Sequence, residues 1–281
     1  MSTTADDMAV VTIVSGRHEH LRRQLRAVAG LDPQPGLHVV VGMGDPGLPR
    51  VLAETHSPRT HCIEQATGDR LPLAAARNRG VAEAAAHGAT AVALLDVDCI
   101  PVPSLVGDYA SVLSALHERG GPAVVSGRVR YLPEGLDDGD HTISTMERLG
   151  SDNGLRVVPS TDGAVRGDPR MLWSLNLATT LQDWDAVGGF DERYEGYGGE
   201  DTDFGQRLKR AGGGMWWTRN AGVFHQWHPV SRPPVEHVAD IVANANLFHD
   251  MWGWYPMGGW LMEFERRGLV SQAADGWHIL R

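Results

Sequence analysis

The chain has 281 residues, enough to bury a sizeable core as one large domain or two lobes. Its 35 acidic against 25 basic residues leave a net charge of −10, which argues against nucleic acid as the partner, because a phosphate backbone needs clustered cations. Cys62 and Cys99 are too few for a disulfide framework or a thiolate metal site, and no apolar run approaches the roughly 20 residues that span a bilayer.

Met8 to Ser15 is a short β-rich apolar run ending at Gly16, as expected of a buried parallel strand. Glu19 to Ala29 reads as a helix with Leu21, Leu25 and Val28 on one face. Leu37 to Val41 is a second strand, closed by the glycine-rich loop Gly42 to Gly47, and His61 to Glu64 a third. Leu73 to His87 is an alanine-rich helix stopped at Gly88. Thr90 to Leu95 is a strand running into Asp96-Val97-Asp98. Helix is expected over Val102 to Glu118 and one strand over Ala123 to Tyr131. From Pro133 to Arg170 periodicity fades, which suggests an irregular excursion with a short helix at His141 to Leu149, in the manner of a lid. Order returns over Met171 to Thr180 and Asp183 to Val187, and Glu200 to Arg210 reads as a helix opened by acids. One late strand is expected over Trp216 to Val223, ending at Phe224-His225. Strands alternating with helices predict an α/β fold around a mostly parallel sheet. The divisions are 1–131, 132–170 as an insertion, and 171–281, within one continuous domain.

Tyr194 to Asp203 sets acids directly after Gly196, Gly198 and Gly199 and beside two tyrosines. Bare backbone and flat aromatic faces ending in carboxylates suit a polyhydroxylated ring, a sugar above all. Asp-x-Asp is common by chance, and the chain has four: Asp96/Asp98, Asp138/Asp140, Asp183/Asp185 and Asp201/Asp203. Only Asp96/Asp98 ends a strongly apolar strand, where ligands of open α/β sheets bind. Alternate residues of an extended segment point the same way, so both carboxylates could face one ligand and hold Mg²⁺ or Mn²⁺. His225 directly follows the late strand and is the preferred imidazole ligand, with His228 next. Arg17 leaves the first strand where a phosphate could sit, with Thr12 and Val14 placed to border a base. Arg77 and Asn78 offer fork-like hydrogen bonds to a nucleotide.

The order Thr-Ile-Val-Ser, Ala-Ala-Arg-Asn-x-Gly, Leu-Asp-x-Asp, Gly-Gly-Phe-Asp-Glu, Gly-Gly-Glu-Asp-x-Asp and a late Phe-His resembles nucleotide-sugar glycosyltransferases of the GT-A fold. It is most similar to family-2-like enzymes with a galactosyltransferase-type C-terminal segment, over roughly Val10 to Pro229. The resemblance implies a Rossmann-like GT-A sheet flanked by helices, with an acceptor-side C-terminal region. It implies that Asp96 contacts ribose or metal, that Asp98 and His225 ligate the metal, and that Arg17, Arg77, Asn78, Asn176 and Gly199 lie on the donor side. Asp201 matches the catalytic base of inverting members, and Glu200 the neighbouring acid that holds donor or acceptor hydroxyls. Tyr194 and Tyr197 stand where relatives commonly carry tryptophan.

The expected reaction is metal-dependent transfer of a sugar from a nucleoside-diphosphate sugar, UDP-linked by resemblance, to a hydroxyl of a glycan, glycolipid or small-molecule acceptor. The divalent cation is Mn²⁺ or Mg²⁺, and a single displacement inverts the anomeric carbon. A non-catalytic sugar or nucleotide binder is the main alternative, and an Asp-nucleophile phosphatase a weaker one. The polar, acidic Met1 to Asp7 is unlike a secretory signal, so a cytoplasmic protein is expected. The tryptophans near the C-terminus leave peripheral membrane contact open, as well as assembly into an oligomer.

Overall fold

Apolar β-branched runs alternate with helices through the first third of the chain, and each run becomes a strand of one sheet. In the computed structural model, which describes residues 3–55, 59–154, 156 and 158–280, these are β1 (Met8–Val14), α1 (His18–Ala29), β2 (Leu37–Met43), α2 (Leu48–Thr55), β3 (Thr60–Gln65), α3 (Leu73–Ala86) and β4 (Ala91–Leu95). β5 (Cys99–Pro101), α4 (Leu105–His117), β6 (Ala123–Ser126), β7 (Val129–Tyr131), α5 (Ile143–Leu149), β8 (Ser151–Asp152) and β9 (Ala164–Gly167) follow. Next come β10 (Asn176–Thr180), α6 (Leu181–Val187), α7 (Glu200–Arg210), β11 (Gly214–Thr218) and β12 (Val223–His225). The chain closes with α8 (Val238–Trp252), α9 (Gly258–Arg266) and the hairpin β13 (Val270–Ala273) and β14 (Gly276–Ile279).

The main sheet has eight strands in the order β3-β2-β1-β4-β10-β6-β11-β9. β1, β2, β3 and β4 run parallel, as do β6 and β11, while β10 and β9 run antiparallel to their neighbours. The chain winds outward from β1 through β2 to β3, then returns to place β4 on the other side of β1. That reversal opens a crevice beyond the carboxyl ends of β1 and β4, the place where such sheets bind ligands. Arg17 and the segment Asp96 to Asp98 emerge there. One face of the sheet buries Ala9, Val11, Val39, Val41 and Leu94 under the small side chains of α3 and under Trp184, Phe190 and Phe204. The other buries Val10, Ala93, Leu95 and Val125 under Leu105, Tyr109 and Leu113 of α4.

Two expected strands are each divided. Ala123 to Tyr131 breaks at Gly127, so that β6 stays in the main sheet while β7 joins a small sheet ordered β5-β12-β7-β8. A β-carbon at Gly127 would collide with the Ala221 carbonyl and the Asn176 amide, and the backbone can turn there only because none exists. The late strand breaks in the same way, with β11 in the main sheet and β12 in the small one, after the turn at Arg219 and Asn220. β6 pairs with β11, and β7 with β12, both in parallel, so the two strands leave the sheet side by side. The excursion from Pro133 to Arg170 is also more ordered than its composition predicts, since β9 forms the edge of the main sheet against β11. No helix among the described residues is long and apolar enough to cross a membrane.

Candidate active site

The loop after β1 turns sharply, with Gly16 at φ 64° and Arg17 at φ 51°. Asp45 of the glycine-rich loop after β2 fixes that turn. Its carboxylate accepts from the Gly16 amide at 2.8 Å and the Gly47 amide at 3.0 Å, and meets His18 Nε2 at 2.9 Å. Burial opposes ionisation of Asp45, but these partners outweigh it and hold the carboxyl below its ordinary range. Arg17, thus placed, donates from Nη1 to Asp98 Oδ2 at 2.5 Å.

β12 brings the imidazoles to the same carboxylate. Its antiparallel register with β5 sets His225 opposite Cys99, and the Gln226 amide donates to the Asp98 carbonyl at 2.7 Å. His225 Nε2 is 3.5 Å from Asp98 Oδ1, and His228 Nε2 is 3.4 Å from Oδ2. Tyr131 of β7 stacks on the His225 ring at 4.8 Å between centroids. Desolvation pushes the Asp98 carboxyl up, yet His228, His225 and Arg17 together bring it down to about 2. The ligating atoms of Asp98, His225 and His228 all lie within 4.8 Å of one another, a donor set fit for a divalent cation. Both histidines reach Asp98 at similar distances, and Asp96 turns elsewhere.

Asp96 Oδ1 accepts from Arg77 Nη2 at 3.1 Å, and Arg77 Nη1 reaches Glu200 Oε1 at 3.2 Å. The buried guanidinium therefore links the carboxyl end of β4 to the start of α7. Gly199 precedes that helix at φ 96°, a left-handed conformation that glycine adopts without strain. The helix dipole favours the charges of Glu200 and Asp201 in its first turn. Desolvation and the neighbouring Asp201 outweigh Arg77 and push the Glu200 carboxyl up to about 7. Burial likewise raises Asp96, with Arg77 opposing. The Ser174 amide donates to Asp201 Oδ2 at 3.0 Å. The remaining oxygens, Asp201 Oδ1 and Glu200 Oε2, and the Ser174 hydroxyl are buried without a partner. Such orphaned acceptors are costly unless a ligand donates to them.

The structure thus connects Arg17, Arg77, Asp96, Asp98, Glu200, Asp201 and His225 into one array and adds His228. Other candidates lie outside it. Thr12 is fully buried and bonds Gln24 at 2.9 Å and His38 at 3.1 Å, and Val14 packs under α1, so both side chains point into the core. Asn176 accepts from the Tyr109 hydroxyl at 2.6 Å and donates to Ala221 at 3.1 Å, fastening the strand break at Gly127. Asn78 holds both the amide and the carbonyl of Phe190, which orders the Gly-Gly-Phe loop. Strand alternation turns Thr12, Val14 and Asn176 inward, while Asn78 is half-buried and also donates to Glu192 at 2.8 Å. Asp203 is structural as well, bonded to Arg207 at 2.9 Å and Trp252 Nε1 at 2.8 Å.

Sequence reasoning missed Asp45 and Ser174, and it marked Tyr197 as a sugar-facing ring without the partners that make it an aromatic wall. Tyr197, 39% exposed, stacks on His237 at 4.7 Å and lies 6.0 Å from Trp260. Glu200, Asp96 and Asp201 lie close enough to help burial raise its hydroxyl to about 12. The wall joins the glycine loop to α9, across a sequence separation that no local pattern reports. A cavity of about 660 Å³ between Arg23, Ile100 and Met146 holds none of these residues.

A family profile described as the N-terminal domain of galactosyltransferase matches residues 165–238, which include β10, α7 and the histidines after β11. Two validoxylamine A glucosyltransferases, from Streptomyces hygroscopicus subsp. jinggangensis and subsp. limoneus, are each 34% identical over 77 residues. The match covers 27% of this chain and 18% and 17% of those proteins. Among solved structures, GalNAc-T7 with UDP, GalNAc and Mn²⁺ superposes with a TM-score of 0.58 at 14% identity, over 92% of this chain and 56% of that one. TarS of S. aureus gives 0.57 at 14% identity, over 86% and 39%. The fold is the GT-A fold of glycosyltransferases, with a galactosyltransferase-type segment over 165–238.

Proposed function

We infer that this chain, built on the GT-A glycosyltransferase fold, transfers a sugar from a nucleoside-diphosphate sugar to an acceptor hydroxyl, with inversion at the anomeric carbon. One observation carries the reading: the Asp98, His225 and His228 cluster with Arg17, and Asp201 with its free Oδ1, belong to one array through Asp96, Arg77 and Glu200. Asp98, His225 and His228 would hold Mn²⁺ or Mg²⁺. When bound, such an ion neutralises the charge that builds on a departing diphosphate. Arg17 adds a fixed positive charge on the same side. The UDP and Mn²⁺ held by GalNAc-T7 support a UDP-linked donor and this choice of ion.

Asp201 takes the proton of the attacking hydroxyl. The Ser174 amide occupies Oδ2, which leaves Oδ1 as the accepting atom. Glu200, with its carboxyl near 7, both gives and receives hydrogen bonds from sugar hydroxyls at neutral pH. Tyr197, His237 and Trp260 offer the flat face on which a ring-shaped acceptor, whether glycan or small polyhydroxylated molecule, stacks. No protein nucleophile is required, so one displacement gives inversion.

A screen of nucleotide sugars by thermal unfolding tests the reading, since a ligand that binds only the folded state raises the melting point. A UDP-sugar with Mn²⁺ is expected to raise it, and the sugar without the ion much less. Indifference to every nucleotide would overturn the proposal.

A further inference from the structure

We propose that His61, Glu83 and His87 form a second metal site, suited to Zn²⁺, which clips the edge strand β3 to the C-terminal end of α3. The site is separate from the array above and does not rest on the proposed activity. Glu83 and His87 are one helical turn apart and share a face, while His61 projects from β3 toward them. His61 Nε2 is 3.0 Å and His87 Nδ1 3.4 Å from the same oxygen, Glu83 Oε1. The two imidazole rings lie 4.9 Å apart between centroids. The ligating atoms of all three residues fall within 4.8 Å of one another. In a tetrahedral zinc site with bonds of about 2.0–2.2 Å, ligand atoms stand roughly 3.3–3.6 Å apart. The two spacings to Oε1 are therefore already close to those of a loaded site.

The chemistry of the donors selects the ion. Two imidazoles and one carboxylate favour Zn²⁺ over Mg²⁺ or Ca²⁺, which prefer all-oxygen shells. The site also lies at the C-terminal end of α3, where the helix dipole favours a cation of any kind. His87 Nδ1 also lies 3.0 Å from the Glu83 carbonyl, and loading exchanges that bond for ligation. Both histidines are 43% exposed at the side chain, so an ion enters from solvent without opening the core. β3 forms one edge of the main sheet, and α3 carries Arg77 at its other end. A cross-link here would brace the edge strand and the helix that holds the proposed active-site arginine.

Metal-stripped protein titrated with ZnCl₂ by calorimetry, alongside its thermal unfolding, tests the site. Wild type is expected to bind one more equivalent of Zn²⁺ than either His87→Ala or His61→Gln. Its melting point should rise with Zn²⁺ by an increment that both variants lose. Unfolding without metal should match wild type, since both side chains are half-exposed, and the response to UDP with Mn²⁺ should persist in both. His225→Ala should retain the equivalent that His87→Ala loses. Equal zinc stoichiometry in wild type and both variants would overturn the proposal, as would complete loss of zinc binding in His225→Ala alone.

Discussion

Two aspartates in the first turn of one helix show how location alone divides chemistry from support. Asp203 is buried against Arg207 and Trp252, which use both its oxygens. Asp201 keeps one oxygen unpaired. Asp201→Asn is therefore expected to lower kcat by about 10²–10⁴-fold while nucleotide binding, followed by thermal shift, stays near wild type. Turnover within a few-fold of wild type would remove Asp201 as the base. Glu200 predicts a stability effect with a definite sign. Its folded carboxyl is pushed up to about 7 from an ordinary 4.5, so between those values the folded state binds more protons than the unfolded one. Stability falls as pH rises through that window, by on the order of a few kcal/mol at most. From pH 5 to pH 8, wild type should lose more stability to urea than Glu200→Gln does, and parallel curves would contradict the assignment.

At the scale of elements, α8 controls the glycine loop that precedes α7. Asn244 Nδ2 donates to the carbonyls of Glu195 at 3.0 Å and Gly198 at 2.7 Å, and Gly199 is closed in by the Tyr194 ring. Asn244→Ala leaves those carbonyls without their donor, at a cost of about 1–3 kcal/mol. The melting point should fall, and amide exchange over Glu195 to Gly199 should quicken relative to β1 and β4. Unchanged protection in the loop would show that α8 does not hold it. The small sheet has a comparable role on the donor side. Leaving the main sheet at Gly127, β7 places Tyr131 on His225, and β12 hydrogen-bonds against β5 directly after Asp98.

Across the whole molecule, the proposed chemistry depends on two groups of charges held together by one buried arginine. Removing the cation should disable the donor side and leave the fold intact. EDTA is expected to abolish the thermal response to UDP, and Mn²⁺ in excess should restore it. His225→Ala should raise the Mn²⁺ needed for half-recovery by at least about tenfold. A nucleotide response that survives chelation would exclude the Asp98, His225 and His228 cluster as the ion's site. The aromatic wall, where Tyr197 of the glycine loop meets Trp260 of α9, borders the acids of the array.

The alternation of apolar runs and helices determined the sheet through β4, because strand burial and helix amphipathy are periodic and local. The apolar run before Asp96, and the glycines before Glu200, likewise marked the acids, since strand ends and helix starts are written in neighbouring residues. Only the tertiary structure decided what those acids touch. That Asp98 faces two histidines follows from the register of β12 on β5, and that Asp96 faces Arg77 follows from the packing of α3. Thr12, Val14 and Asn176 had plausible positions, but packing turned their side chains inward, and Asn78 holds the Phe190 loop. The strand break at Gly127 depends on the Ala221 carbonyl arriving from far along the chain, and a contact of that kind leaves no trace in a local sequence pattern.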